Sequence, residues 1–336
     1  MKHTAKSNII SIRAPPHVEL AVGFNGIRAT RPRLTGTVEV RSPAGNPIPV
    51  VFISLALYVH ENTVCSPPGK SLVSPSQKLS TTTLVGKELL LWEAQEASGY
   101  QTLEVLSMDI PFCMPLPEET LPATLIHPSR STTYELVATL HASGINSERF
   151  AIEVIMERFD HLPIWGMFEQ TQKLLPVSVD HIVEMQCMLP RTCVGPGDRL
   201  TTTVTLVGNP DWEAKVKKVR CKELLFTIEQ VVRYQIDQVF EAFVVTKRLA
   251  ESRRDLMGAK LADCEGPLEV GITMPVTGRL NDKAIVPHAT YTSTTSGKLY
   301  SVSFQVVIRA SFKGAKEITA THPIIVSQYT ECLGST

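Results

Sequence analysis

The stretch KVKKVRCK (215–222) carries five cations, Lys215, Lys217, Lys218, Arg220 and Lys222, within eight residues. On a β-strand, side chains two apart share a face, so Lys218, Arg220 and Lys222 would line up as one cationic row. Such a row suits charge-assisted hydrogen bonds to a phosphorylated or acidic tail, or to a lipid head group. It equally suits a solvated outer face, or an edge strand that lysines guard against aggregation. A second cluster, RATRPR, sets Arg28, Arg31 and Arg33 in a loop ahead of a strand, and the same readings apply to it. Arg248, Arg253 and Arg254 alternate with acids and read as solvated.

Other chemistry finds little footing. PPGKS (67–71) resembles the end of a phosphate-cradling loop, but Val64 stands where the leading glycine belongs, and the surroundings read as a surface loop over 66–76. Neither G-x-S-x-G nor H-E-x-x-H occurs. The nine histidines are scattered, and His60-Glu61 and Asp160-His161, as sequence neighbours, point to opposite faces of a strand. We therefore expect no catalytic residue, no metal and no cofactor. Seven cysteines, an odd number without a C-x-x-C pair, read as reduced thiols of a cytosolic protein. Cys187 and Cys193, which flank MLPRT, leave a disulfide open as the sharper alternative.

Lys+Arg and Asp+Glu are both 33, so net charge gives no support to general nucleic-acid binding. Its first sixteen residues hold no apolar stretch long enough for a signal peptide, and the longest apolar run, near 50–59, is about half a membrane helix. From these features we expect a soluble, cytoplasmic chain.

Strands are expected to carry these charges. In LYSVSFQVVIRASF (299–312), Val302, Phe304, Val306, Ile308, Ala310 and Phe312 face one way and polar residues the other, with Val307 the exception. TTYELVATLHA (132–142) repeats this with Tyr134, Leu136, Ala138 and Leu140 inward. Segments 33–40, 50–59, 150–156, 199–206 and 223–232 read as further strands, and 245–262 as a charged loop or one short helix. Short strands between Pro, Gly, Ser and Asn clusters indicate an all-β fold of antiparallel sandwiches.

Three weak matches recur in one order: LTGTVEV (34–40) with LTTTVTL (200–206), PFCMPLP with GITMPVTG, and YELVATLHASG (134–144) with FQVVIRASFKG (304–314). They suggest two tandem immunoglobulin-like sandwiches, 1–165 and 179–336, joined by a linker at 166–178. The stretch DIPFCMPLPEETLPATLIHP (109–128) is expected to end a strand near Ile110, cross the sandwich rim with Phe112, Met114 and Leu116 inward, and re-enter a sheet near Thr133.

The order of RLTGTVEV, VFISLALYV, IPFCMPLPEETLPATL, TTYELVATL, CVGPGDRLTTTVTL, LEVGITMPVTG, YSVSFQVVIRASF and HPIIV resembles the arrestin superfamily, above all the α-arrestins, over roughly residues 8–328. The resemblance implies arrestin N-terminal and C-terminal domains and a non-enzymatic cytosolic adaptor. Such an adaptor binds membrane-protein cargo tails, works at the plasma or endosomal membrane, and links cargo to a HECT-type ubiquitin ligase and endocytic sorting. Two departures stand out. The chain has neither P-P-x-Y nor L-P-x-Y, the usual ligase-recruiting motifs, and Glu157 falls where visual and β-arrestins hold a phosphate-sensing arginine, with Arg158 beside it. A constitutive coat subunit of the retromer type and a β-sandwich hydrolase or sugar-binding protein remain as alternatives.

Overall fold

The computed structural model describes residues 9–14, 17–20, 33–65, 77–94, 102–117, 121–144, 146–158, 166–235, 243–264, 266–275 and 295–327. The chain is nearly all β and falls into two compact units, Met1–Asp160 with Gly297–Leu299, and His161–Ser296 with Tyr300–Thr336.

In the first unit the strands run β1 (Ile10–Arg13), β2 (His17–Leu20), β3 (Arg33–Arg41), β4 (Ile48–Cys65), β5 (Gln77–Leu84) and β6 (Leu89–Glu93). They continue with β7 (Leu103–Val105), β8 (Ser107–Pro115), β9 (Leu125–His127), β10 (Arg130–Ala142) and β11 (Glu148–Arg158). One sheet has the order β1-β3-β8. The other has β2-β11-β10-β4-β5, with β6 and β7 on the rest of β4 and β9 on β10. The alternation read in the sequence supplies the core. Ile10, Leu34, Val38 and Val40 of the small sheet face Leu55, Leu57, Leu136 and Leu140 of the large one, and each is at most 1% exposed. The buried Tyr134 hydroxyl donates to the Pro122 carbonyl at 2.6 Å, tying the start of β10 to the segment before it. Glu61 is also buried, and its carboxylate accepts the N–H groups of Lys298 (3.0 Å) and Leu299 (2.8 Å), which replace lost water.

The proline stretch differs from expectation at its ends. β8 runs through Pro111 to Pro115 rather than stopping near Ile110, and the chain re-enters a sheet at Leu125 and Arg130, ahead of Thr133. β8 is the outer strand of its sheet, where alternate N–H groups face away from the ladder, so a residue without one fits. Phe112, Met114 and Leu116 are buried, as their positions predict.

In the second unit the strands are β12 (Gln172–Leu174), β13 (Val183–Leu189), β14 (Cys193–Val194), β15 (Arg199–Gly208) and β16 (Arg220–Tyr234). After them come β17 (Phe243–Lys260), β18 (Leu268–Thr273), β19 (Thr295–Ser296), β20 (Tyr300–Lys313) and β21 (Ile318–Val326), and one helical turn, α1 (Glu213–Val216), precedes β16. The sheets have the orders β12-β13-β15-β18 and β14-β21-β20-β16-β17, with β19 on β20. All six β20 residues expected inward are buried, and Val307 is buried as well.

The segment read as a charged loop or short helix is instead the edge strand β17, paired with β16 from Phe243 to Lys260. Its residues 244–248 are all exposed. A strand with no buried face shows no alternation, and what holds it is the row of backbone donors and acceptors that β16 presents.

Candidate functional site

The basic stretch of the second unit is built on a turn. Asn209 Oδ1 accepts the Asp211 N–H at 3.0 Å, and Pro210 opens a short 3-10 turn through Trp212 that leads into α1. The turn closes with Lys217 N–H on Glu213 C=O (3.1 Å), Lys218 on Lys215 (2.9 Å) and Val219 on Val216 (3.0 Å). Two apolar anchors seat it. Val219 is fully buried, and Val216 lies so close to Gly208 of β15 that a Cβ there would collide with its methyl.

The expected row of three on one strand face is therefore only partly formed. Lys215, Lys217 and Lys218 belong to the helical turn and its exit, and the strand begins at Arg220. Lys215 Nζ sits 3.8 Å from the centroid of the Trp212 ring, a cation–π contact. Lys217 pairs with Glu213 at 2.5 Å, and this hydrogen-bonded charge holds the Glu213 carboxyl below its ordinary range. Lys218, Arg220 and Lys222 are exposed and, among the described residues, have no acidic partner. Arg220 and Lys222 straddle the buried Cys221, and Lys222 falls at a bulge where neither neighbouring strand supplies a partner residue.

The structure adds two cations that the sequence reading missed. Arg220 lies directly opposite Lys260 of β17 on one side and Lys313 of β20 on the other, so three cations form a row across three strands. Lys313 is followed by Gly314 at φ 93°, a left-handed conformation that favours glycine; a Cβ there would be 3.2 Å from the Lys218 carbonyl. That close approach brings Lys218 to the same end of the sheet. No local pattern announces the row, because it depends on the register of three strands distant in sequence.

Arg33 belongs to the first unit, where it opens β3 opposite Pro115 and is exposed. Arg28 and Arg31 lie outside the described residues, as do the 66–76 loop and the side chains of Glu157 and Arg158. Arg248 pairs with Glu251, Arg253 with Glu223 at 3.3 Å, and Arg254 donates to the Glu269 carbonyl at 2.8 Å.

Cys187 and Cys193 are buried free thiols, and burial pushes each up to about 12. No helix among the described residues is long and apolar enough to cross a membrane. The sequence matches no protein-family model and no curated protein.

Proposed function

We propose that the chain is a non-enzymatic adaptor that captures acidic or phosphorylated tails of membrane-protein cargo and couples them to ubiquitylation, endocytosis and sorting. The observation that carries this reading is the cationic end of the β17–β16–β20 sheet, where Lys218, Arg220 and Lys222 are joined by Lys260 and Lys313. Like charges directly opposite one another on neighbouring strands are destabilising, and an anionic group laid across them offsets that repulsion. The arrestin-like order of sequence motifs supports the cargo class and a cytoplasmic site of action beside the plasma or endosomal membrane. In this reading a HECT-type ligase is recruited through a partner protein. The fold alone does not dictate activity, so the proposal rests on the charged surface.

The test is charge reversal of Lys218, Arg220 and Lys222 in the intact chain. Binding to a phosphorylated tail peptide should fall steeply, and the wild-type affinity should drop as salt rises. If binding to both the tail peptide and anionic liposomes is unchanged, the patch has no such role. Affinity purification should recover a membrane protein together with a ligase, whereas a stoichiometric coat complex would replace this reading with the coat-subunit one.

A further inference from the structure

The first unit holds a cleft of about 1060 Å³ against the outer face of the β5–β4–β10–β11 sheet, walled at one end by the turn between β9 and β10. Its floor is polar: Asn62 lies between Ser80 and Ser131, and Thr133 lies opposite His60. The two ends carry opposite charge. At the turn, the exposed Lys78 is opposite Val64 and supplies the positive charge, and the Val64 N–H donates to the Ser129 carbonyl at 2.7 Å, which brings the β9–β10 turn alongside. At the other end Glu135 and Glu153 face each other directly across β10 and β11.

Two carboxylates in directly opposite positions repel, as the cations of the second unit do. His60 hydrogen-bonds to one of the two carboxylates. Its Nε2 is 3.2 Å from a Glu135 oxygen, and its Nδ1 is 2.9 Å from the Thr82 hydroxyl, so the ring is held across three strands. Glu153 is exposed and, among the described residues, has no cationic partner. Along β4 the positive end sits at Val64 and the negative end at Tyr58, six residues apart, which corresponds to about 20 Å of strand.

We propose that this cleft binds an extended peptide segment, acidic at one end and carrying Lys or Arg at the other, with about six residues between the charges. An extended peptide repeats every two residues, as the floor does, so small polar side chains and backbone amides can meet the hydroxyl and amide groups along its whole length. The volume lies at the upper end of what small ligands fill, roughly 300–1000 Å³, and the charge separation favours an extended chain over a compact molecule. The proposal uses no residue of the basic turn in the second unit and stands or falls independently of the cargo reading.

The experiment uses the full chain and fluorescent peptides that carry Asp-Asp and Lys-Lys pairs separated by about six Ser/Thr residues. Both charge orders are made, with a control of the same composition in which the charged pairs are adjacent. Anisotropy should show one order binding about tenfold more tightly than the control. Lys78→Glu and Glu153→Lys change exposed side chains, so circular dichroism should remain native. Each should lower that affinity, and each should come to prefer a peptide whose matching end has reversed charge. Equal binding of spaced and control peptides, or charge preferences untouched by both substitutions in folded protein, overturns the proposal.

Discussion

The two units share one strand order and differ in how they finish it. In each, a short parallel strand (β2 or β14) leads into β11-β10-β4 or β21-β20-β16, and a small sheet centred on β3 or β15 covers the other side. The first unit flanks its 18-residue β4 with three short strands, β5, β6 and β7. The second flanks β16 with the single 18-residue β17, exposed and charged. Short edge segments and a charged long edge both discourage pairing with another chain, so the same problem has two solutions. Matched positions diverge in the same manner. LTGTVEV and LTTTVTL align Gly36 with Thr202. At Gly36 a Cβ would stand 2.7 Å from the Arg13 carbonyl and 2.8 Å from Ala14 Cβ, whereas the buried Thr202 hydroxyl donates to the Met188 carbonyl at 3.0 Å. Alignment also pairs Tyr134, with its bond to Pro122, and Phe304, which has no hydroxyl. The strand order tolerates either residue, while each local neighbourhood accepts only its own.

The largest contrast should be in thiol chemistry. Cys113 lies exposed on the edge of the first unit, while burial pushes Cys187, Cys193 and Cys221 of the second up to about 12. Near pH 8 their thiolate populations are roughly a thousandfold below an ordinary thiol's, so iodoacetamide should label Cys113 and spare all three. Peptide mass spectrometry that finds them labelled at the rate of Cys113 breaks this contrast.

Exchanging the paired residues should be costly in both directions. Gly36→Thr forces a side chain against backbone and should cost about 3 kcal/mol, read as a lower urea midpoint. Thr202→Gly loses a buried hydrogen bond and rigidity, about 2 kcal/mol. If Gly36→Thr is neutral, the close approach of Arg13 and Ala14 does not constrain the position. Tyr134→Phe should be milder, about 1 kcal/mol, since it leaves one carbonyl without its donor and the packing intact.

The smallest effect belongs to pH. Burial holds His322 of β21 below its ordinary value of 6.5, since the charged form loses hydration in the fold. The unfolded chain therefore takes up a proton first. The neutral side chain's contribution is complete above 6.5 and is lost as pH falls below it. His322→Gln should flatten the acid side of the stability profile, and an unchanged slope would remove His322 from that account.

Much of the fold was legible because strands with one wet and one dry face write their period into the residues. β3, β10, β15 and β20 were visible for that reason, and Tyr134, Leu136, Phe304 and Ile308 are buried where alternation puts them. β17 was not legible, because exposure on both faces leaves no alternation to read. KVKKVRCK announced a basic surface but gave it the wrong local shape, since three of its lysines sit on a helical turn and its exit.

The all-β class, most inward-facing positions and the presence of basic clusters follow from local spacing and side-chain type, so they can be read from the residues alone. That Lys260 and Lys313 flank Arg220, that Glu135 faces Glu153, and that a polar cleft joins residues of β4, β5, β10 and β11 emerges only from the folded chain. Those juxtapositions depend on strand register, which long-range packing of the core sets and no short segment encodes.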